Sequence, residues 1–381
     1  MQTNLEVLRI AVINRIEIAK LFETLGRQPW TVTKNAVYDQ CKSPQVSVII
    51  TLYNYADYIY ECLVSVTASY KDERLIDFEI VIINDCSTDN SVSIVQDYLK
   101  IDGDTPICLV NKHINTGLAD ARNLGLNLAR APYVFMLDAD NWIYPNCLSE
   151  LYREIYESKY ASVYGIIQKF NNKTRDGIGL LSQYEWDTYS LIKGPYIDAM
   201  AMFDRAILLS LGGYSTELIQ YGWFGWEDYD MWLKLAQANY VCKLVPQILS
   251  AYRSHPESMI NLTNSYLSNF SKYFMRKFAS LTHQYIDEGF FFGSQTPEKM
   301  STIQDFLLEL ETSRGVLQAI ETEINQLKEH IKNHVIEVDQ WNVLEVNELR
   351  DRIFAMETSK FWQMRKWWFK FKKILGMPSN E

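Results

Sequence analysis

Two aspartates one residue apart, Asp138 and Asp140, follow the apolar run Tyr133-Val-Phe-Met-Leu137. Such a pair at a strand end can share a divalent cation and a ribose. Its hard oxygens suit Mg²⁺ or Mn²⁺, ions that also bridge diphosphate oxygens. The alternative for a lone pair of this spacing is a solvated turn. Asn84-Asp-Cys-Ser-Thr-Asp89 follows a second apolar run. There Asp85 can accept a hydrogen bond from a base imide N–H, while Ser87 or Asp89 caps the next helix. Asn115-Thr-Gly-Leu-Ala-Asp-Ala-Arg-Asn123 opens a helix whose first amides and Arg122 favour an anion. An ordinary capped helix with a surface arginine would read the same way. In Trp226-Glu-Asp-Tyr-Asp230, the acids Glu227 and Asp228 sit beside aromatics and can supply a general base. Acids that merely favour a helix dipole are the alternative. His255, within Tyr252-Arg-Ser-His-Pro-Glu-Ser-Met259, can complete the coordination of Mn²⁺. A histidine standing alone is more often structural.

The elements that must position these residues alternate. Strands are expected over 46–52, 78–83, 107–110 and 133–137, with helices over 57–69, 91–99 and 117–129. Steps of about 30 residues imply βαβ units, a mostly parallel sheet and helices on both faces. Ligands of such sheets bind beyond the carboxyl ends of the strands. All four polar clusters that end these strands should therefore meet at one rim. Further on, a strand over 200–203, a turn at Gly212-Gly213 and a helix over 227–238 are expected.

Outside this core the composition shifts. Residues 1–43 read as a helix and a polar connector. Leu310, Leu317, Ile324, Ile331 and Val338 recur every seven residues among Glu, Lys and Gln, which predicts a coiled coil and through it a homo-oligomer. The tail Ser359–Glu381 carries a net charge of +5, with three Trp and three Phe among its cations, so the rest of the chain stands at −15. That pattern suits an anionic membrane surface, or a helix that docks on the protein's own acidic body. With an overall charge of −10, a general nucleic-acid binder is excluded. The six cysteines include no CxxC pair, which argues against zinc and for a reducing compartment. No run of 18 apolar residues occurs, so the expected location is the cytoplasm, peripheral on the inner face of the plasma membrane if the tail binds there.

Seven motifs together, VSVIITLYN, NDCSTD, NTGLADARN, DAD, GGY, WEDYD and YRSHPESM, make residues 44–260 resemble glycosyltransferase family 2 of the GT-A fold. The resemblance implies a Rossmann-like GT-A domain over 44–283; the heptads and the tail composition add a helical, coiled-coil region over 284–357 and the basic tail over 358–381. It implies an inverting transferase that uses a nucleotide-diphosphate sugar, UDP being the common base, with Mn²⁺ or Mg²⁺. Thr51, Tyr53, Asp57 and Asp85 would then line the nucleoside pocket, and Arg122 would lie near the donor. Asp138 would face ribose or metal, Asp140 would bind the metal, and His255 would be a further metal or diphosphate contact. Asp228 would be the base, with Glu227 second. Trp226 and Trp223 would stack on the acceptor, a glycan or lipid-linked sugar. Asn84 and Cys86 depart from the Asp and Gly frequent in the family. The competing readings are a GT-A-like nucleotidyltransferase or retaining transferase, and a catalytically degenerate coiled-coil scaffold at a membrane surface.

Overall fold

In the computed structural model, the described residues are 2–72, 76–222, 224–255, 263, 266–282, 290–292 and 294–295. The coiled-coil and tail segments, like Trp223, lie outside them. Two compact units divide the chain: Arg15–Glu298, and Met1–Asn14 with Lys299–Glu381. The first carries the sheet and everything below.

Helix α1 (Gln2–Thr24) leads into β1 (Trp30–Lys34). Then come β2 (Val46–Leu52), α2 (Ile59–Asp72), β3 (Phe78–Asn84), α3 (Ser91–Ile101), β4 (Ile107–Lys112), α4 (Leu118–Leu128) and β5 (Tyr133–Asp138). The second half contributes β6 (Trp142–Ile143), α5 (Cys147–Ser158), β7 (Ser162–Asn171), β8 (Gly177–Leu181), α6 (Thr188–Lys193), β9 (Ala201–Asp204) and α7 (Arg205–Ser210). It closes with α8 (Glu227–Gln237), β10 (Cys242–Ser254), α9 (Leu267–Lys277) and α10 (Ala279–Thr282), with a short pair β11 (Phe290–Phe291) and β12 (Ser294–Gln295).

The main sheet runs β1-β4-β3-β2-β5-β9-β7-β10-β6, with β8 also on β7. Strands β4, β3, β2 and β5 are parallel. Beyond β5 the sheet is mixed: β9 is antiparallel to both β5 and β7, and β10 returns parallel to β7. The expected mostly parallel sheet is thus confined to its first half. A second difference is β1, which lies in the stretch read as connector and pairs antiparallel with β4. It covers what would otherwise be an open edge.

Every residue of β2 and β3 is buried, as expected for strands covered on both faces. Ile49, Val81 and Ile83 pack with Ala121 and Leu126 of α4 on one face. Val48, Ile50, Ile80 and Ile82 pack with Leu63 and Val66 of α2 and Val95 of α3 on the other. Gly125 lets α4 sit close, because a Cβ there would come within 2.4 Å of Ile49.

The strand order places the topological switch between β2 and β5, whose register sets Thr51 opposite Asp138. That is where a ligand of an open α/β sheet binds. At the opposite end, fully buried Glu79 accepts from Ser47 Oγ at 2.6 Å, the Arg130 amide at 2.8 Å and Arg130 Nε at 2.6 Å. A buried charge left without its partner is costly, and the partial exposure of Arg130 moderates the loss. Glu79→Ala should lower stability by about 2 kcal/mol in chemical denaturation, with nucleotide binding at the far rim unchanged.

Candidate active site

Asp138 ends β5 with one oxygen, Oδ1, held twice: Thr51 Oγ1 donates at 2.9 Å and Arg122 Nη2 at 2.9 Å. Arg122 lies on α4 and is buried, and its other nitrogen, Nη1, donates to Glu227 Oε1 at 2.7 Å. The guanidinium therefore joins the carboxylate at the end of β5 to the acid pair of α8. Asn123, the next residue, exchanges two hydrogen bonds with the Tyr214 backbone, at 2.8 and 2.7 Å. Gly213 takes a positive φ of 68°, and a Cβ there would press on Asn123 Oδ1 at 2.4 Å. The GGY turn is thus the surface that holds the Arg122 helix in place.

Glu227 and Asp228 are adjacent but differently placed. Glu227 is buried, and its second oxygen accepts from the Gly225 amide at 2.9 Å. Asp228 is half-buried; Oδ1 accepts from the Tyr229 amide at 2.8 Å, and its other oxygen has no hydrogen-bond partner among the described residues. Burial pushes both carboxyls up, with Arg122 opposing; the charge of Asp198 adds to the rise of Asp228. Asp198 itself is pushed up to about 6 by burial, with the charges of Asp138 and Asp140 adding and Arg122 opposing. Sequence reasoning missed Asp198, because nothing in Gly194-Pro-Tyr-Ile-Asp198 marks it as a motif. The third acid of WEDYD, Asp230, is structural: it is fully buried and paired with Lys277 of α9 at 2.7 Å and Lys234 at 3.3 Å.

Asp140 is buried, and Oδ2 lies 3.1 Å from His255 Nε2, which brings the YRSHPESM motif to the DAD turn. Burial raises the Asp140 carboxyl, opposed by His255. Between the two motifs sits Arg253, fully buried, whose Nε donates to the Asp140 carbonyl at 2.7 Å and whose Nη1 donates to Asn172 at 2.7 Å. Its guanidinium also pairs with Glu61 and lies 4.6 Å from the Tyr58 ring centre. Among the described residues, no group of three or more His, Cys, Asp or Glu side chains is placed to hold a metal by itself.

Three of the expected site residues are buried. Asp85 is engaged within the protein. Its carboxylate is buried, accepts from the Thr116 and Gly117 amides at 3.1 and 2.7 Å, and pairs with buried Lys112 at 2.7 Å. It holds the loop that starts α4, where Gly117 has φ 93° and a Cβ would strike the Phe224 ring. Arg122 is a buried brace rather than a surface group. Trp226 does not offer a face to an acceptor: it is 6% exposed, its backbone is left-handed at φ 66°, and its ring stacks with Phe270 and Phe274. The interior of the α8–α9 contact outcompetes solvent for so large an apolar surface. By contrast Tyr53 and Asp57 are exposed on the loop after β2. That loop is fixed to the NDCSTD loop, since Asn54 Oδ1 accepts from the Thr88 amide at 2.7 Å and Asp89 Oδ2 from the Ala56 amide at 3.0 Å.

The sequence pattern of glycosyl transferase family 2 fits residues 47–211, a stretch that includes the NDCSTD, NTGLADARN and DAD motifs. Residues 47–211 thus carry the pattern of this family. The chain is 29% identical over 200 residues to the chondroitin synthase of Pasteurella multocida (strain Pm70), a match covering 51% of this chain and 19% of that one. It is 35% identical over 128 residues to glycosyltransferase GlyA of Streptococcus pneumoniae, covering 33% and 17%. The matched segments make up about a fifth of those relatives' lengths. Among solved structures, S. aureus TarS 1–349 in complex with UDP-GlcNAc aligns with a TM-score of 0.48 at 16% identity, over 74% of this chain and 80% of that one.

The burial of Trp226 gives a direct test. Trp226→Ala should cost about 3–5 kcal/mol of stability, read as a lowered melting temperature. If the variant were instead stable and lost only affinity for acceptors, the ring would have to be a sugar platform after all.

Proposed function

We propose that the protein transfers a sugar, with inversion, from a nucleoside-diphosphate donor to a hydroxyl of a glycan or lipid-linked acceptor. A uridine donor is favoured. The observation that carries this reading is the Arg122 bridge, which fixes a strand-end aspartate at the switch point and an acid pair on α8 in one constellation. Relatives that include a chondroitin synthase and a glycosyltransferase support polysaccharide synthesis as the setting.

Asp228 is the base. Its uncommitted oxygen can accept the acceptor's proton, whereas both oxygens of Glu227 are occupied. Its raised pKa moves it toward the working pH, where a general base is most effective. Glu227 acts through Arg122 and positions rather than reacts. Asp198, electrostatically coupled to Asp228, is suited to hold the acceptor hydroxyl for attack in line with the leaving diphosphate.

The residues present fit a divalent cation. Asp138, Asp140, Asp198, Glu227 and Asp228 interact electrostatically around Arg122, an acidic surplus that a diphosphate would otherwise meet unscreened. Asp140 and Asp138 would hold Mn²⁺ or Mg²⁺, and Nδ1 of buried His255 has no hydrogen-bond partner among the described residues. Two carboxylates completed by substrate phosphates are the usual form of such a site, which explains why no full protein cage is needed. When bound, the ion would offset negative charge on the leaving diphosphate. The basic aromatic tail would bring the site to an anionic surface carrying the acceptor.

Titration calorimetry tests the donor side. Wild type should bind UDP more tightly with Mn²⁺ than without it, and Asp140→Asn should remove the metal-dependent part. A folded wild type that bound no nucleoside diphosphate would overturn the reading. On the acceptor side, Asp228→Asn should lower kcat by about 10²–10⁴-fold while donor affinity stays the same. The wild-type kcat should fall as pH drops through the raised pKa of Asp228, above the ordinary carboxylate value of about 4, and Asp228→Asn should flatten that limb.

A further inference from the structure

The segment that matches the family begins at Ser47, yet the part of α1 from Arg15 on, far upstream, reaches the same rim. Arg15, half-buried, has Nη1 3.4 Å from Asn115 Oδ1, on the loop after β4. Asn115 in turn donates from Nδ2 to the Asp85 carbonyl at 2.8 Å. Ile16, the next residue of α1, is buried and lines a small cavity with Thr116, Phe224 and Gly225. The Arg15 charge is felt at two side chains of the neighbouring loops. Burial pushes the Tyr53 hydroxyl and the Cys86 thiol up, and Arg15 pulls both back. Tyr53 is 44% exposed, so its ring is available as a flank.

The sheet order gives this corner a meaning. Asp138 and Asp140, the residues suited to the diphosphate end, follow β5. Tyr53, Cys86 and Asn115 follow β2, β3 and β4, progressively farther across the sheet on the other side of the switch. A nucleotide laid across the rim would put its base there. Asp85, the acid expected to meet the base, is already occupied by two amides and Lys112.

We propose that Arg15 is a specificity-determining residue that donates to a carbonyl oxygen on the edge of the donor's nucleobase. The proposal rests on the transferase reading above. A guanidinium carries five donors and no acceptor. It therefore favours bases with a keto oxygen at that edge, uracil, thymine or guanine, over cytosine and adenine, which present an amino group there. α1 is on this view part of the donor pocket, and the sequence upstream of the family segment sets the choice of base.

The test is calorimetry on the full chain with UDP, GDP, CDP and ADP, each with Mn²⁺, and with inorganic pyrophosphate. The variants are Arg15→Gln, Arg15→Lys and Asn115→Ala, each checked for an unchanged melting transition. Wild type should prefer a keto nucleotide over CDP and ADP. Arg15→Gln should weaken that nucleotide about tenfold or more, the scale of a hydrogen bond to a charged group, and bring it level with CDP. Pyrophosphate affinity should stay the same, and Arg15→Lys should recover part of the loss. An equal loss on every nucleotide and on pyrophosphate would make Arg15 a phosphate contact and overturn the proposal. So would an unchanged preference, or a loss fully reproduced by Asn115→Ala, since Arg15 would then only brace the loop. If wild type bound no nucleotide, the transferase reading itself would fall; binding that is indifferent to Arg15 would overturn this assignment alone.

Discussion

A buried guanidinium between two carboxylates organises this molecule. Arg122 binds Asp138 at the end of β5 and Glu227 at the start of α8, elements about 90 residues apart in the chain. A charge taken out of water is stable only when paired and hydrogen-bonded, so the pair distances leave little freedom to the elements that carry them. The neighbouring residue repeats the constraint without charge: Asn123 closes on the Tyr214 backbone from both sides. Together they dock the second half of the sheet, with its acid pair, against the first half, with its strand-end aspartate.

The same logic runs around the rim. Asp85 and Lys112 fix the turn into α4, Asn54 and Asp89 tie the first two rim loops together, and Arg253 props the Asp138–Asp140 turn from beneath. Side chains that look available for ligands in the sequence are largely consumed in holding the loops. Among the described residues, a smaller set stays outside that network: one oxygen each of Asp138 and Asp228, and the exposed ring of Tyr53. A site with its supports already satisfied has little to reorganise when substrate arrives, and that is where electrostatic catalysis gains most.

The parallel half of the fold was legible in the chain because β2, β3 and β5 are continuous apolar runs with polar residues confined to their ends. The helix over 227–238 and the strand over 200–203 were legible for similar local reasons. Strand β7 and the mixed half were not. Their pairing depends on contacts between distant strands rather than on periodicity, and β1 escaped notice because its exposed, alternating residues look like a connector. Asp198 was invisible for a related reason. Its charge bears on Asp228, 30 residues later in the chain, and no local pattern encodes that.

By itself, then, the sequence determined the residue types and the rim they share: where strands end is a local property, and polar residues at strand ends must meet when the strands are parallel. It also determined the resemblance to glycosyl transferase family 2, whose pattern fits residues 47–211, since seven motifs in one order are a strong constraint. Only tertiary structure decided which of those residues are committed to internal partners. Asp85, Trp226 and Arg122 carry the right chemistry for binding, yet two are committed to internal partners by the cost of burying unpaired charge, and the third to the α8–α9 interior by the gain from burying its ring. Asp228 is distinguished from Glu227 by its lesser burial and by an oxygen without a hydrogen-bond partner among the described residues. Two adjacent acids look alike in a sequence; what separates them is the partner that each finds in space.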